Sequence, residues 1–240
     1  MSVESRIIYE DNHLLVVNKL PGEIVQGDKT GDEALCEIIK TWIRKRDQKP
    51  GNAFIGVPHR LDRPVSGVAL FAKTSKALER LNEMFRNHEI KKKYWAITLQ
   101  KPDPEKGQLK HYLLRNEKLN KSFVSLFPKP DAKEAILNYR YVGCSDNYHF
   151  IEVELLTGRH HQIRAQLGAI GCTIKGDLKY GAPRSNRDAG ICLHARSVSF
   201  AHPVKKEWIE VVAPIPDEVL WRLFEREWEI PHFATLLHSE

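Results

Sequence analysis

The sequence of 240 residues has only four cysteines and two methionines. Its four cysteines, Cys36, Cys144, Cys172 and Cys192, form no CxxC pair, which argues against a zinc ribbon and fits free thiols in a reducing compartment. No apolar run approaches the length of a membrane span, and the charged stretch MSVESRIIYEDNHLLVVNK does not read as a signal peptide. The expectation is a cytoplasmic protein with no membrane partner. The sequence has no GxxxxGK(S/T) phosphate loop, no GxGxxG dinucleotide fingerprint and no GxSxG nucleophile elbow. Internal repeats, low-complexity tracts and long polar linkers are missing too, so a single domain over 1–240 is expected.

Basic charge and regular apolar spacing are what the chain does carry. Lys and Arg total 37 against 31 Asp and Glu, a net charge of +6 with a pI near 9.1, which suits a polyanionic partner. LLVVNK (14–19), GVALFAKT (67–74), KKKYWAITLQ (91–100), EAILNYRYVG (134–143) and HFIEVELL (149–156) read as strands. Thr30 with Glu33 reads as a capping box before a helix carrying Leu35, Ile38, Ile39, Trp42 and Ile43 inward and Lys40, Arg44, Lys45 and Arg46 outward. A second helix is predicted through Leu78, Leu81, Met84 and Phe85. A third should follow the turn at Gly158, through Ile163, Leu167 and Ile170, and stop at Gly171. SVSFAHP and EWIEVVAP read as a closing hairpin, with an amphipathic helix through Leu220, Leu223, Phe224 and Trp228 after it. Strands and helices that do not alternate strictly predict an α+β fold, a mixed and mostly antiparallel central sheet with flanking helices.

The stretch HRLDRPVSG (59–67) places one acid, Asp62, between Arg60 and Arg63 where Pro64 and Gly67 disfavour helix. Flanking positive charge keeps such a carboxylate ionised. On these residues alone it is a loop ion pair, a turn former or a nucleophile. The adjacent His160 and His161 would diverge on a helix and have no evident third ligand, so they read as surface residues or contacts to a polyanionic partner rather than a metal pair. Ser66 beside His59 hints at a hydrolase, but nothing serves as the orienting acid. No metal and no cofactor is called for.

Three stretches together, HRLDRPVSG, KKKYWA and LLTGRHHQIRAQL, resemble the signature segments of the RluA-type RNA pseudouridine synthases in order and separation. The resemblance runs from about Leu14 to Pro203 and takes in GDLKYG (176–181) and LHARSVSFAHP (193–203). Leu20 follows Asn18 and Lys19 where the family has proline, and Val65 and His160 stand where threonine is common. The catalytic segments begin so early that an S4-like RNA-binding domain is not expected. The resemblance implies the pseudouridine synthase fold and cofactor-free isomerisation of uridine to pseudouridine in a tRNA or rRNA stem-loop, by a monomer that requires no protein partner. Asp62 would act at the sugar, as nucleophile at C1′ or as base, and Arg164 would pair with it through a bidentate contact. Tyr94 would pack on the uracil and is a candidate for taking the C5 proton, and Arg60 would fill the stack vacated by a flipped base. RNA contacts are further expected from Arg63, Lys91, Lys92, Lys93, Arg159, His161, Ile163 and Tyr180. A catalytically silent RNA-binding protein and a nucleoside or glycoside hydrolase stay open as alternatives, although a hydrolase would want a second carboxylate nearby.

Overall fold

The computed structural model describes residues 2–28, 31–48 and 51–229. Among them, strands β1 (Ile7–Glu10), β2 (Leu14–Lys19), β3 (Ser66–Ala72), β4 (Lys91–Thr98), β5 (Lys106–Asn116), β6 (Lys121–Ser125), β7 (Lys133–Cys144), β8 (His149–Leu155), β9 (Leu193–Ala201) and β10 (Trp208–Val212) make one sheet. The helices are α1 (Leu35–Arg46), α2 (Ser75–Arg86), α3 (Gln162–Ala169) and α4 (Val219–Glu229). Strand order is β1-β2-β3-β9-β4-β8-β7-β5-β6, with β10 also paired to β9. Only β3 and β9 run parallel, through Ser66 opposite His194 and Gly67 opposite Ala195, so the α+β, mostly antiparallel expectation holds.

Local chemistry explains most of the boundaries. Thr74 caps α2, its hydroxyl accepting from the Ala77 amide at 3.2 Å. The helix read from Leu35 is present, but its N-cap is Ala34 with no side-chain bond, and Thr30 lies outside the described residues. After α3 the chain turns at Gly171, whose φ of +81° suits glycine, while the Cys172 amide bonds back to Leu167 at 2.9 Å. Gly67 has φ +107°, and a Cβ there would overlap the backbone of Ala195 on the neighbouring strand. The fully buried strand β3 therefore approaches β9 as closely as it does only because residue 67 has no side chain.

Three strands escape the sequence patterning. β1 is four residues of uniformly half-buried character, and β5 and β6 form a hairpin whose outer length is largely exposed. With little of either strand buried, no clean alternation of apolar and polar residues is required. In the core, α4 lays Phe224 on Trp95 at 4.5 Å and on Phe150 at 5.0 Å, both stacked. Trp95 therefore faces α4, and Lys92 and Tyr94, at the alternate positions of β4, face the other side of the sheet.

Candidate active site

Asp62 sits on the turn that leads into β3, and buried contacts hold that turn. Lys19, at the end of β2 and fully buried, donates to the carbonyls of Leu20 at 3.0 Å, Arg63 at 3.0 Å and Val65 at 2.6 Å. The Gly22 amide bonds the Arg63 carbonyl at 2.9 Å, and the Ile191 amide bonds Pro64 at 3.0 Å. All three ammonium protons of Lys19 are used, so the three residues that follow the acid are held in place. Burial pulls the Lys19 ammonium down to about 7.

The charge partner of Asp62 is not one of its neighbours in sequence. Arg63 bridges Asp32 at 2.7 Å on the surface, and Arg60 is exposed. Arg164 of α3 reaches across instead, its Nη1 donating to Asp62 Oδ2 at 3.1 Å. The expected bidentate contact goes elsewhere: Nε and Nη2 of Arg164 clasp Asp177 at 2.7 and 2.8 Å. Arg164 and Asp177 are both buried, and a buried guanidinium needs a carboxylate in its fork. Burial opposes the charge on Arg164, but the Asp177 hydrogen bonds and charge, joined by Asp62, hold it above the ordinary arginine range. Asp62 is left with a quarter of its side chain exposed and with Oδ1 free of any hydrogen-bond partner among the described residues.

Tyr94 is buried on β4, where burial and then the charge of Asp62 raise its phenol above the ordinary value. His160 and His161 do not diverge on a helix. They precede α3, with His161 at its N-cap in the left-handed conformation (φ 53°), and their rings stack at 3.8 Å. His161 is buried, its Nδ1 3.1 Å from the Tyr180 hydroxyl and its Nε2 3.6 Å from Asp62 Oδ2. Burial and Arg164 press this imidazole down to about 2, so it faces the acid as a neutral ring. Tyr180, on a 3₁₀ turn over Leu178–Tyr180, receives the Ser122 amide at 2.9 Å and carries the Arg164 guanidinium 5.2 Å from its ring centre. His160 meets Ser122 Oγ at 2.9 Å and Asn120 Oδ1 at 3.1 Å, tying the β5–β6 hairpin to the site.

The three lysines do not form one patch. Lys91 and Lys93 are exposed, whereas Lys92 is buried on the Tyr94 side, because successive strand residues point to opposite faces. Arg159 is half-buried with its Nε on the Glu134 carbonyl at 2.9 Å, and Ile163 is buried in the main core. Ser66 and His59 are not partners: Ser66 Oγ meets His194 Nδ1 at 2.9 Å, and His59 accepts from the Leu70 amide and stacks on Phe85. Sequence reasoning assigned no role to Asp177 or to Lys19, though both lie in stretches it singled out. Among the described residues no group of three or more His, Cys, Asp or Glu is placed to hold a metal, and no helix is long and apolar enough to cross a membrane.

Residues 13–169 match the family described as RNA pseudouridylate synthase. Over 223 residues the chain is 31% identical to ribosomal large subunit pseudouridine synthase C of Vibrio parahaemolyticus, covering 90% of this chain and 68% of that protein. It is 30% identical over 223 residues to ribosomal large subunit pseudouridine synthase D of Zymomonas mobilis, covering 89% and 70%. The chain thus spans about two thirds of the length of these relatives. The solved structure of human RNA Pseudouridylate Synthase Domain Containing 4 shares the fold, with a TM-score of 0.76 at 23% identity over 94% of this chain and 92% of that one. A family match that contains Asp62, Tyr94 and Arg164, with relatives aligned along nine tenths of the chain, makes this protein a member of the RNA pseudouridylate synthase family, enzymes that isomerise uridine to pseudouridine.

Proposed function

We propose that this chain isomerises uridine in a structured RNA, with ribosomal RNA as the substrate, and that Asp62 acts on the sugar of the flipped nucleotide at C1′ or C2′. The observation that carries the assignment is the Asp62 carboxylate itself: one oxygen is held by a buried arginine, the other is free, and a quarter of the side chain is open. In the reaction the N1–C1′ bond breaks, the uracil turns in place, C5 bonds to C1′, C5 gives up its proton and N1 gains one. A carboxylate held in a fixed orientation supplies what this needs at an anomeric carbon. Tyr94 packs against the uracil; a phenol held above its ordinary value is a poor base, so the packing role is the one assigned to it. Exposed Arg60 fills the stack that the uridine leaves. The names of the relatives, which act on the ribosomal large subunit, favour ribosomal over transfer RNA. We infer further that the chain works as one catalytic domain over 1–240, as a cytoplasmic monomer without a cofactor. Asp177 is the second carboxylate nearby, but it is buried and clasped by Arg164, which leaves a hydrolase without its acid.

The test is to map pseudouridine in ribosomal and transfer RNA from cells with and without the protein, and to follow tritium release from RNA labelled at C5 of uridine. Loss of a ribosomal pseudouridine with the gene, and tritium release in vitro, are expected. Loss confined to transfer RNA would overturn the substrate, and RNA binding without tritium release would favour a silent binder. Free uracil as product would favour a hydrolase.

A further inference from the structure

Lys92 is the buried cation beside the site that the reaction above does not use. The residue is only 9% exposed, and among the described residues no carboxylate and no hydrogen-bond acceptor meets its ammonium, which keeps its contact with solvent. Its neighbours are the Phe85 ring, 5.9 Å from Nζ, and Gly158, where a Cβ would lie 3.8 Å from Nζ with nothing else within reach. Gly158 has no left-handed backbone to justify it, so what the missing side chain provides is an open approach to the ammonium. Arg159 follows at once, with only its Nε engaged, on the Glu134 carbonyl. Burial and the charge of Arg159 pull Lys92 down to about 8, and burial with the charge of Lys92 presses His59, which stacks on the same Phe85 ring, down to about 4. Two cations are thus gathered with no anion between them, and their mutual repulsion weighs on the free protein. Lys92 and Tyr94 leave the same face of β4 at alternate positions, about 6.6 Å apart along the strand, a separation that one nucleotide spans.

We propose that Lys92 and Arg159 form a subsite for a backbone phosphate bordering the target uridine. The inference rests on the active-site reading above, with Tyr94 under the uracil. Lysine supplies a point charge and arginine the free part of its fork, and both bind a phosphodiester through charge-assisted hydrogen bonds. The seated phosphate offsets the repulsion between the two cations, so the cost borne by the empty protein returns as affinity for RNA.

The test titrates the full chain with a CCUCC pentanucleotide carrying 2′-fluoro riboses, either all-phosphodiester or with a neutral methylphosphonate on the 5′ or the 3′ side of its single uridine. For the wild type, one of the two methylphosphonates should weaken binding about ten- to hundredfold. Lys92→Met should weaken binding of the all-phosphodiester probe by a similar factor, and the methylphosphonate should then cost nothing more. Arg159→Gln should give a smaller loss of the same kind. Lys92→Met should melt no lower than the wild type, because an apolar chain of similar shape replaces a stem whose ammonium has no protein partner and is repelled by Arg159. A structural lysine would melt lower on replacement. Losses that multiply, wild-type affinity indifferent to both methylphosphonates, or a Lys92→Met protein that melts lower and binds normally would each overturn the subsite. Tritium release by the wild type, measured separately, keeps the isomerase reading standing in those cases, and its absence would bring down that reading instead. No measurable wild-type affinity for the pentanucleotide would count against the RNA cleft as a whole.

Discussion

Arg164 gives Nε and Nη2 to Asp177 and Nη1 to Asp62, so one guanidinium joins a buried aspartate to the one proposed to act on the sugar. Asp177→Asn removes the charge that balances a buried cation, and breaking such a pair costs about 3–5 kcal/mol. Chemical denaturation should register that loss, and turnover should fall as Arg164 loses its orientation; unchanged stability would contradict the pairing. Lys19 sets a second expectation. Its folded value of about 7 lies below the 10.5 of an ordinary lysine. Below pH about 7 both states are protonated and the full burial cost is present. Between about 7 and 10.5 the unfolded chain binds the extra proton, so stability rises with pH in that window. Lys19→Met should flatten the rise, measured as unfolding free energy against pH for both proteins. Asp62, Tyr94 and Arg164 were legible in the sequence because each stands in a stretch that carries the family resemblance. The roles of Asp177 and Lys19 were not, because each acts through buried contacts made only on folding, with Arg164 across 13 residues and with the Val65 carbonyl across 46.

Strand β4 sorts its residues by face. KKKY reads as a run of like charge, but alternation sends Lys91 and Lys93 to solvent and keeps Lys92 beside Tyr94. The elements with one deeply buried side, such as β8 and α2, were read from their apolar spacing. The β5–β6 hairpin was not, because its outer part is held by strand pairing and by links through Ser122 and Asn120 to His160 and Tyr180 rather than by an apolar face. The His160–His161 stack escaped for another reason: a left-handed residue at the start of α3 breaks the helical geometry that would have separated the two rings. At the junction of β3 and β9 the critical residue is Gly67. Gly67→Ala combines a strained φ with overlap against Ala195, and a loss of several kcal/mol is expected. Thermal melting checks it, and a melting temperature within a degree or two of the wild type would mean that the two strands separate more easily than this packing implies.

Across the whole molecule, strand order brings together stretches distant in the chain: β9 lies between β3 and β4, joining the Asp62 turn to the strand that carries Tyr94, and α3 adds Arg164. The fold class was legible from patterning and from the resemblance, whereas the order of strands was not, because pairing partners are chosen by packing between distant segments. If Arg60 replaces the flipped uridine in its stack, Arg60→Ala should lose more turnover on a folded stem-loop than on a flexible oligonucleotide, where less stacking needs replacing. Equal losses on the two substrates would contradict that role. Asp62 is the centre of the account, and Asp62→Asn tests it most directly because the amide keeps the size and loses the charge. Tritium release from C5-labelled uridine RNA should fall at least about ten-thousandfold, as when a covalent or base catalyst is removed, while RNA affinity stays within a few-fold. Turnover above about one per cent of the wild type would mean that another residue performs the chemistry.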